Sequence, residues 1–174
     1  MSLPGSNDAP PPPVRPHTRW VAIYQNDRFT SFQSLTGYIF SMPERDGFVC
    51  NLPAGASDAD LGEAMREALN HSRFVLPDGT RQAFYNPETV EAVFYMRLEQ
   101  LQEQFGYPSR RRIVKGLRYC TVTMRLGEIK FEPTRRTRGC EWQDLRMPPI
   151  TVADDVDALA LGAAVRLAMD TCTG

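Results

Sequence analysis

The chain has 174 residues and a mass of 19.7 kDa, with 42% hydrophobic and 24% charged residues, a net charge of −1 and an isoelectric point near 6.1. This is the balance of a soluble globular protein with room for one ordinary domain, and it excludes a wholly disordered chain, a collagen and a coiled coil. No apolar run approaches the roughly 20 residues of a membrane helix, and no basic-then-apolar leader opens the chain, so a cytoplasmic protein without a membrane partner is expected.

Residues 1–18 are rich in proline and poor in apolar side chains, which predicts a disordered or polyproline-like tail ahead of a single domain over 19–174. Order begins at Arg19. The run Arg19-Trp-Val-Ala-Ile-Tyr24, the turn residues Gln25 to Asp27 and the run Phe29 to Phe32 predict a hairpin. Tyr38 to Met42 and Phe48 to Leu52 read as two further short strands. Ser57 is a predicted N-cap, with Asp58 and Asp60 in the first turn, and Leu61, Ala64, Met65, Ala68 and Leu69 give an amphipathic helix over 58–73. A second helix opens with Asn86 as cap and Pro87 at the first helical position. Its expected buried stripe is Val90, Phe94, Leu98, Leu101 and Phe105, and Gly106 with Pro108 ends it.

Alternation from Leu117 to Arg125, a turn at Leu126 to Glu128 and a return through Glu132 predict the start of an antiparallel meander. Thr134 to Gly139 reads as a basic loop and Cys140 to Gln143 as a third strand. A last helix over about 155–171 is apolar around most of its girth and is expected to be the most buried. The expected fold is α+β, an antiparallel or mixed sheet of about six or seven strands with three packed helices. Leu61-Gly-Glu-Ala-Met-Arg-Glu-Ala-Leu69 matches Leu161-Gly-Ala-Ala-Val-Arg-Leu-Ala-Met169 one hundred residues on. This echo is either a duplicated strand–helix unit or a coincidence among helix formers. Glycine in a helix interior is unfavourable by up to about 1 kcal/mol relative to alanine, so Gly62 and Gly162 suggest helices lying close against the sheet.

Chemistry-bearing motifs are sparse. No phosphate-binding glycine loop, H-E-x-x-H or G-x-S-x-G is present. Cys50, Cys120, Cys140 and Cys172 are far apart, without C-x-x-C spacing, and read as reduced, core-facing thiols, with a Cys120–Cys140 contact if their strands pair. His17 borders the tail, and His71 falls at a helix end, where the dipole favours a charged, capping imidazole. Asp58 with Asp60, Glu88 with Glu91, and Asp154 with Asp155 and Asp157 sit at helix starts and outer faces, where capping and solvation account for them. No catalytic residue, metal, cofactor or small-molecule substrate is expected.

Charge is segregated. Residues 56–103 carry four arginines against nine acids, residues 109–146 eleven Lys/Arg against four acids, and residues 147–174 one arginine against four acids. The basic segment suggests a nucleic-acid surface through Arg110 to Arg112, Lys115, Arg118, Arg135, Arg136 and Arg138. Tyr107, Tyr119, Phe131 and Trp142 are available there to stack on bases. Its other reading is internal compensation of the acidic helices. Asp60, Glu63 and Glu67 line one predicted helix, and Glu88, Glu91 and Glu99 surround Tyr95 on another. A tyrosine in an acidic field is suited to a basic protein partner.

The opening Arg19-Trp-Val-Ala-Ile-Tyr24, then Leu52-Pro53 before Ser57-Asp-Ala-Asp-Leu-Gly-Glu-Ala-Met-Arg-Glu-Ala-Leu69, and Pro149-Ile-Thr-Val152 leading to Leu161-Gly162, resemble the CdiI-type immunity proteins of bacterial contact-dependent growth inhibition (CDI) systems. The resemblance implies a cytoplasmic, non-enzymatic protein that neutralises the C-terminal toxin domain of a cognate CdiA effector in a one-to-one complex. Such toxins are frequently nucleases, whose basic surfaces an acidic partner would suit. It assigns no contact residues, because immunity proteins vary most where they meet their own toxins. The seven residues Asp60, Glu63, Glu67, Glu88, Glu91, Tyr95 and Glu99 are therefore a physical expectation. The alternative function is a small RNA- or DNA-binding regulator using residues 109–146.

Overall fold

The structure, a computed structural model, describes residues 17–38, 40–75 and 87–174. The proline-rich stretch through Pro16 and the expected cap Asn86 lie outside the described residues. Strands β1 (Arg19–Gln25) and β2 (Phe29–Gly37) form the predicted hairpin, with Ile23 opposite Phe32. β3 (Ser41–Pro43) and β4 (Val49–Pro53) both pair antiparallel with β2, β4 along its first half and β3 along its last three residues. The expected strand from Tyr38 is therefore shorter and later. The chain reverses tightly at Gly37, where a Cβ would stand 2.0 Å from the Phe40 carbonyl oxygen.

Helix α1 (Asp58–His71) begins at the predicted cap: Ser57 Oγ accepts from the Asp60 amide at 3.1 Å, and the Asp60 carboxylate accepts from the Ser57 amide at 3.1 Å. This reciprocal pair satisfies two amides that a helix start leaves open. Ser72 ends α1, accepting from the Trp20 amide at 2.8 Å and donating to the Leu35 carbonyl at 2.7 Å. A two-residue strand that the sequence reading lacks, β5 (Arg73–Phe74), then runs parallel to β2.

Helix α2 (Pro87–Phe105) is present as expected, and Leu98 and Leu101 of the expected stripe are buried, joined by Val93 and Arg97, while Val90, Phe94 and Phe105 are half-buried. A short α3 (Arg110–Val114), capped by Ser109, inserts Ile113 into the core. β6 (Arg118–Arg125) and β7 (Glu128–Arg136) meet through a two-residue turn in which Leu126 and Gly127 have φ of 55° and 81°, the left-handed pair whose twist suits a hairpin. Thr134 to Arg136, expected in a loop, belong to β7 because β8 (Trp142–Asp144) pairs with them. β9 (Ile150–Ala153) pairs with the first half of β7 and leads to α4 (Ala158–Thr171), capped by Asp157.

The α+β class holds, with nine strands and four helices among the described residues rather than six or seven and three. The sheet runs β3-β2-β1-β6-β7-β8, with β4 also on β2 and β9 also on β7. Period-two alternation splits its side chains between two faces. Val21, Ile23, Phe32, Cys120, Val122 and Phe131 pack under α1 and α4. Phe29 on the opposite face packs with α2 and α3, and Trp20, Ala22 and Leu35 form a smaller cluster beside it.

The hundred-residue echo is a structural duplication about the central β1–β6 pair. Cys50 pairs with Phe32 and Ile150 with Phe131; Arg73 pairs with Thr36 and Thr173 bridges to Arg135. Arg66 donates to the carbonyls of Asp154 and Val156, and Arg166 reciprocally donates to the Ala56 carbonyl and the Asp58 carboxylate. The two glycines lie against each other's helix and not against the sheet as expected. A Cβ on Gly62 would stand 1.8 Å from Ala158 O, and one on Gly162 1.6 Å from Asp58 O. α4 is also less buried than its composition suggests: Leu159 and Leu167 are 61% and 57% exposed.

Candidate functional site

The predicted acidic strips lie on opposite faces of the sheet. α1, with Asp60, Glu63 and Glu67 exposed, shares one face with α4; α2, with Glu88, Glu91, Tyr95 and Glu99 exposed, covers part of the other. On α1, Asp60 is committed to the cap, and its hydrogen bonds from Ser57 hold its carboxyl below the usual carboxylate range. Glu67 pairs with His71 at 3.0 Å, and the imidazole stacks on Phe48 at 4.5 Å. His71 therefore does not cap its helix as expected; Ser72 does. This corner borders a shallow depression whose lining also includes Gly47 and, from α2, Thr89.

On α2, Tyr95 is 43% exposed on a ridge between two grooves. Glu99 forms an ion pair with Arg110, whose guanidinium lies 5.7 Å from the Tyr95 ring centroid. This is a preformed cluster of the kind that anchors protein contacts, a partly exposed aromatic with a stacked arginine and a carboxylate. Glu91 stands on the other flank, at a concavity of about 560 Å³ between α2 and the sheet.

What holds α2 in place went unread in the sequence. Arg97 is buried, and its guanidinium donates to the carbonyls of Arg45 at 2.9 Å, Gly47 at 3.1 Å and Glu44 at 3.4 Å, closing the turn between β3 and β4 onto the helix. Burial lowers its pKa from the usual arginine value. A lone arginine in a helical pattern carries no sequence signal of this role, because the acceptors are backbone carbonyls some fifty residues away. Arg97→Met keeps the stem but takes the guanidinium from the Arg45 and Gly47 carbonyls, while the Glu44 carbonyl keeps the Gly47 amide, and each such loss costs roughly 1–3 kcal/mol. The expected result is a fall in unfolding free energy of about 3 kcal/mol with fast amide exchange at Gly47, measured by urea denaturation and hydrogen exchange.

Part of the basic segment is engaged within the fold. Arg110 pairs with Glu99, Arg112 with Asp27 at 3.3 Å and Arg118 with Asp170 at 3.6 Å, while Arg136 donates to the carbonyls of Val114 and Gly139. Of the aromatics considered for base stacking, Phe131 is in the core and Tyr107 is buried with its hydroxyl donating to Asp27 at 2.8 Å. Tyr119 and Trp142 instead join Tyr24 and Phe94 in one ring cluster. Burial pushes the Tyr24 and Tyr119 hydroxyls up, so both stay neutral phenols.

The thiols differ from expectation in two respects. All four are free, but Cys140 is exposed. Cys120 faces Pro133 across the ladder, so the Cys120–Cys140 contact does not form. The neighbour of Cys120 is Cys172, whose hydrogen bond, together with burial, pushes the Cys120 thiol up.

Residues 19–172 match the family described as CdiI, CDI immunity protein. The chain is 26% identical over 170 residues to the immunity protein CdiI-YPIII of Yersinia pseudotuberculosis serotype O:3, covering 89% of this chain and 96% of that one. A protein of unknown function from Neisseria meningitidis has the same fold at a TM-score of 0.83 and 22% identity, over 91% of this chain and 97% of that one. A CdiA-CT/CdiI toxin and immunity complex from Yersinia pseudotuberculosis matches at a TM-score of 0.81 and 24% identity, over 89% and 97%. The sheet carries a duplicated strand–helix unit on one face and an acidic, tyrosine-bearing helix on the other. The chain belongs to the CdiI family of CDI immunity proteins, a family of toxin inhibitors and not of enzymes. No helix among the described residues is long and apolar enough to cross a membrane.

Proposed function

We propose that this chain acts in the cytoplasm as the immunity protein for the C-terminal toxin domain of a cognate CdiA effector, a nuclease, neutralising it in a one-to-one complex through the α2 ridge. Family membership over residues 19–172 carries the reading. The likeness to the toxin and immunity complex from Yersinia pseudotuberculosis agrees with it. The ridge supports the choice of surface: Glu88, Glu91 and Glu99 around an exposed Tyr95 attract a basic partner, and nucleases that bind a polyanion are basic. Asp60, Glu63 and Glu67 lie on the other face, where they contribute to the long-range field and not to the same contact.

The test is co-expression with the candidate toxin domain encoded beside this chain. Survival of the cells and co-purification of an equimolar complex are expected. Death of the cells with no complex, where the toxin is active by itself, would sink the pairing.

A further inference from the structure

The concavity under α2 has a chemistry that packing alone does not require. Five aromatic rings line it, Tyr95 at its edge and four packed together: Tyr24 and Tyr119 have centroids 4.9 Å apart, Trp142 lies 5.3 Å from Tyr119, and Phe94 lies 6.1 Å from Tyr24. Ring faces are the negative part of an aromatic quadrupole and attract cations. Among the described residues Glu91 is the sole charged residue in the lining, with no lysine, arginine or histidine beside it. Among the described residues Glu91 has no ion pair, whereas Glu99, two turns on, is matched by Arg110.

A carboxylate and a group of aromatic rings in one concave site favour one kind of occupant. An apolar side chain would cover the rings but desolvate Glu91 without compensation, and an acidic one would meet a like charge. A cation satisfies both features. Between the two basic side chains, the planar guanidinium stacks on aromatic faces while its fork of donors reaches a carboxylate.

We propose that this groove seats an arginine side chain of the toxin domain, stacked among Tyr24, Tyr119 and Trp142 and paired with Glu91. The inference rests on the toxin-binding reading above and adds the chemistry of the anchor residue. Tyr95 and the Glu99–Arg110 pair then form the outer rim of the same contact.

Two experiments test it. In the first, N-acetyl-argininamide is titrated into the full chain while the Trp142 indole N–H signal is followed by NMR, with N-acetyl-citrullinamide as a neutral probe of nearly the same shape. A saturable shift at Trp142 is expected, at least about tenfold weaker for the citrulline probe. Glu91→Gln should weaken arginine binding by a similar factor and leave the melting curve unchanged. Equal binding of the two probes, no saturable shift at Trp142, tighter binding of N-acetyl-phenylalaninamide, or indifference to Glu91→Gln would each overturn the proposal. In the second, Glu91→Gln is expected to weaken the toxin complex about tenfold, with Glu63→Gln as the unaffected control. If the wild-type chain forms the complex and Glu91→Gln does not weaken it, this inference falls and the toxin-binding reading stands. If the wild-type chain forms no complex, both fall.

Discussion

Gly162→Ala is expected to destabilise the protein by about 3 kcal/mol or more, as is Gly62→Ala, the range in which forced overpacking overtakes a helix-propensity gain of up to about 1 kcal/mol. Each new methyl would sit within 1.8 Å of a backbone carbonyl oxygen of the facing helix, so neither side-chain rotation nor a small local shift removes the clash. The helices must separate. That movement pulls Arg66 and Arg166 from the carbonyls they bond across the interface and loosens the shared core of Met65, Leu69, Val165 and Met169. Because the two sites are reciprocal parts of one contact, the double variant should lose less than the sum of the singles. Urea denaturation of the three variants checks this; a loss below about 1 kcal/mol in each single variant would mean that the helix pair tolerates separation.

The largest functional effect is expected from reversing charge on the α2 ridge. Glu91→Lys with Glu99→Lys should weaken the toxin complex at least about a hundredfold, since close charge pairs across interfaces couple by roughly 1.5–7 kcal/mol and here two attractions become repulsions. Arg110 loses its partner in the same variant and faces a lysine, which removes the rim cluster around Tyr95. Both glutamates are exposed, so the fold should persist. The matched reversal at Glu63 and Glu67 on α1 should leave protection near the wild-type level, because that strip lies on the other face of the sheet. Isothermal titration with the toxin domain, together with survival on co-expression, separates these outcomes. If the α1 pair abolished protection and the α2 pair did not, the contact would belong to the opposite face.

Much of this protein is legible in the order of its residues, because those signals are local. The Ser57 cap with Asp60, Pro87 at a helix start, the β1–β2 hairpin and the Leu126-Gly127 turn are each decided within a few residues, and each is where the sequence places it. The repeat at residues 61–69 and 161–169 is also visible, and with it the family resemblance. Its meaning was not legible. A glycine in a helix signals close approach, but whether to a sheet or to another helix depends on how strands some hundred residues apart pair.

The candidate site divides in the same way. Helical spacing identifies the exposed acids around Tyr95, since residues three and four apart share a helix face. Only the tertiary structure places Asp60, Glu63 and Glu67 on the opposite face, because a sheet separates its two surfaces while the sequence presents both helices alike. It also draws Arg110 out of the basic segment to Glu99, buries Arg97 against carbonyls some fifty residues earlier, and gathers Tyr24, Phe94, Tyr119 and Trp142 around one concavity with Glu91. Those contacts join side chains far apart in the chain, and their free energy arises from burial and charge pairing that exist only once the strands are paired and the helices packed.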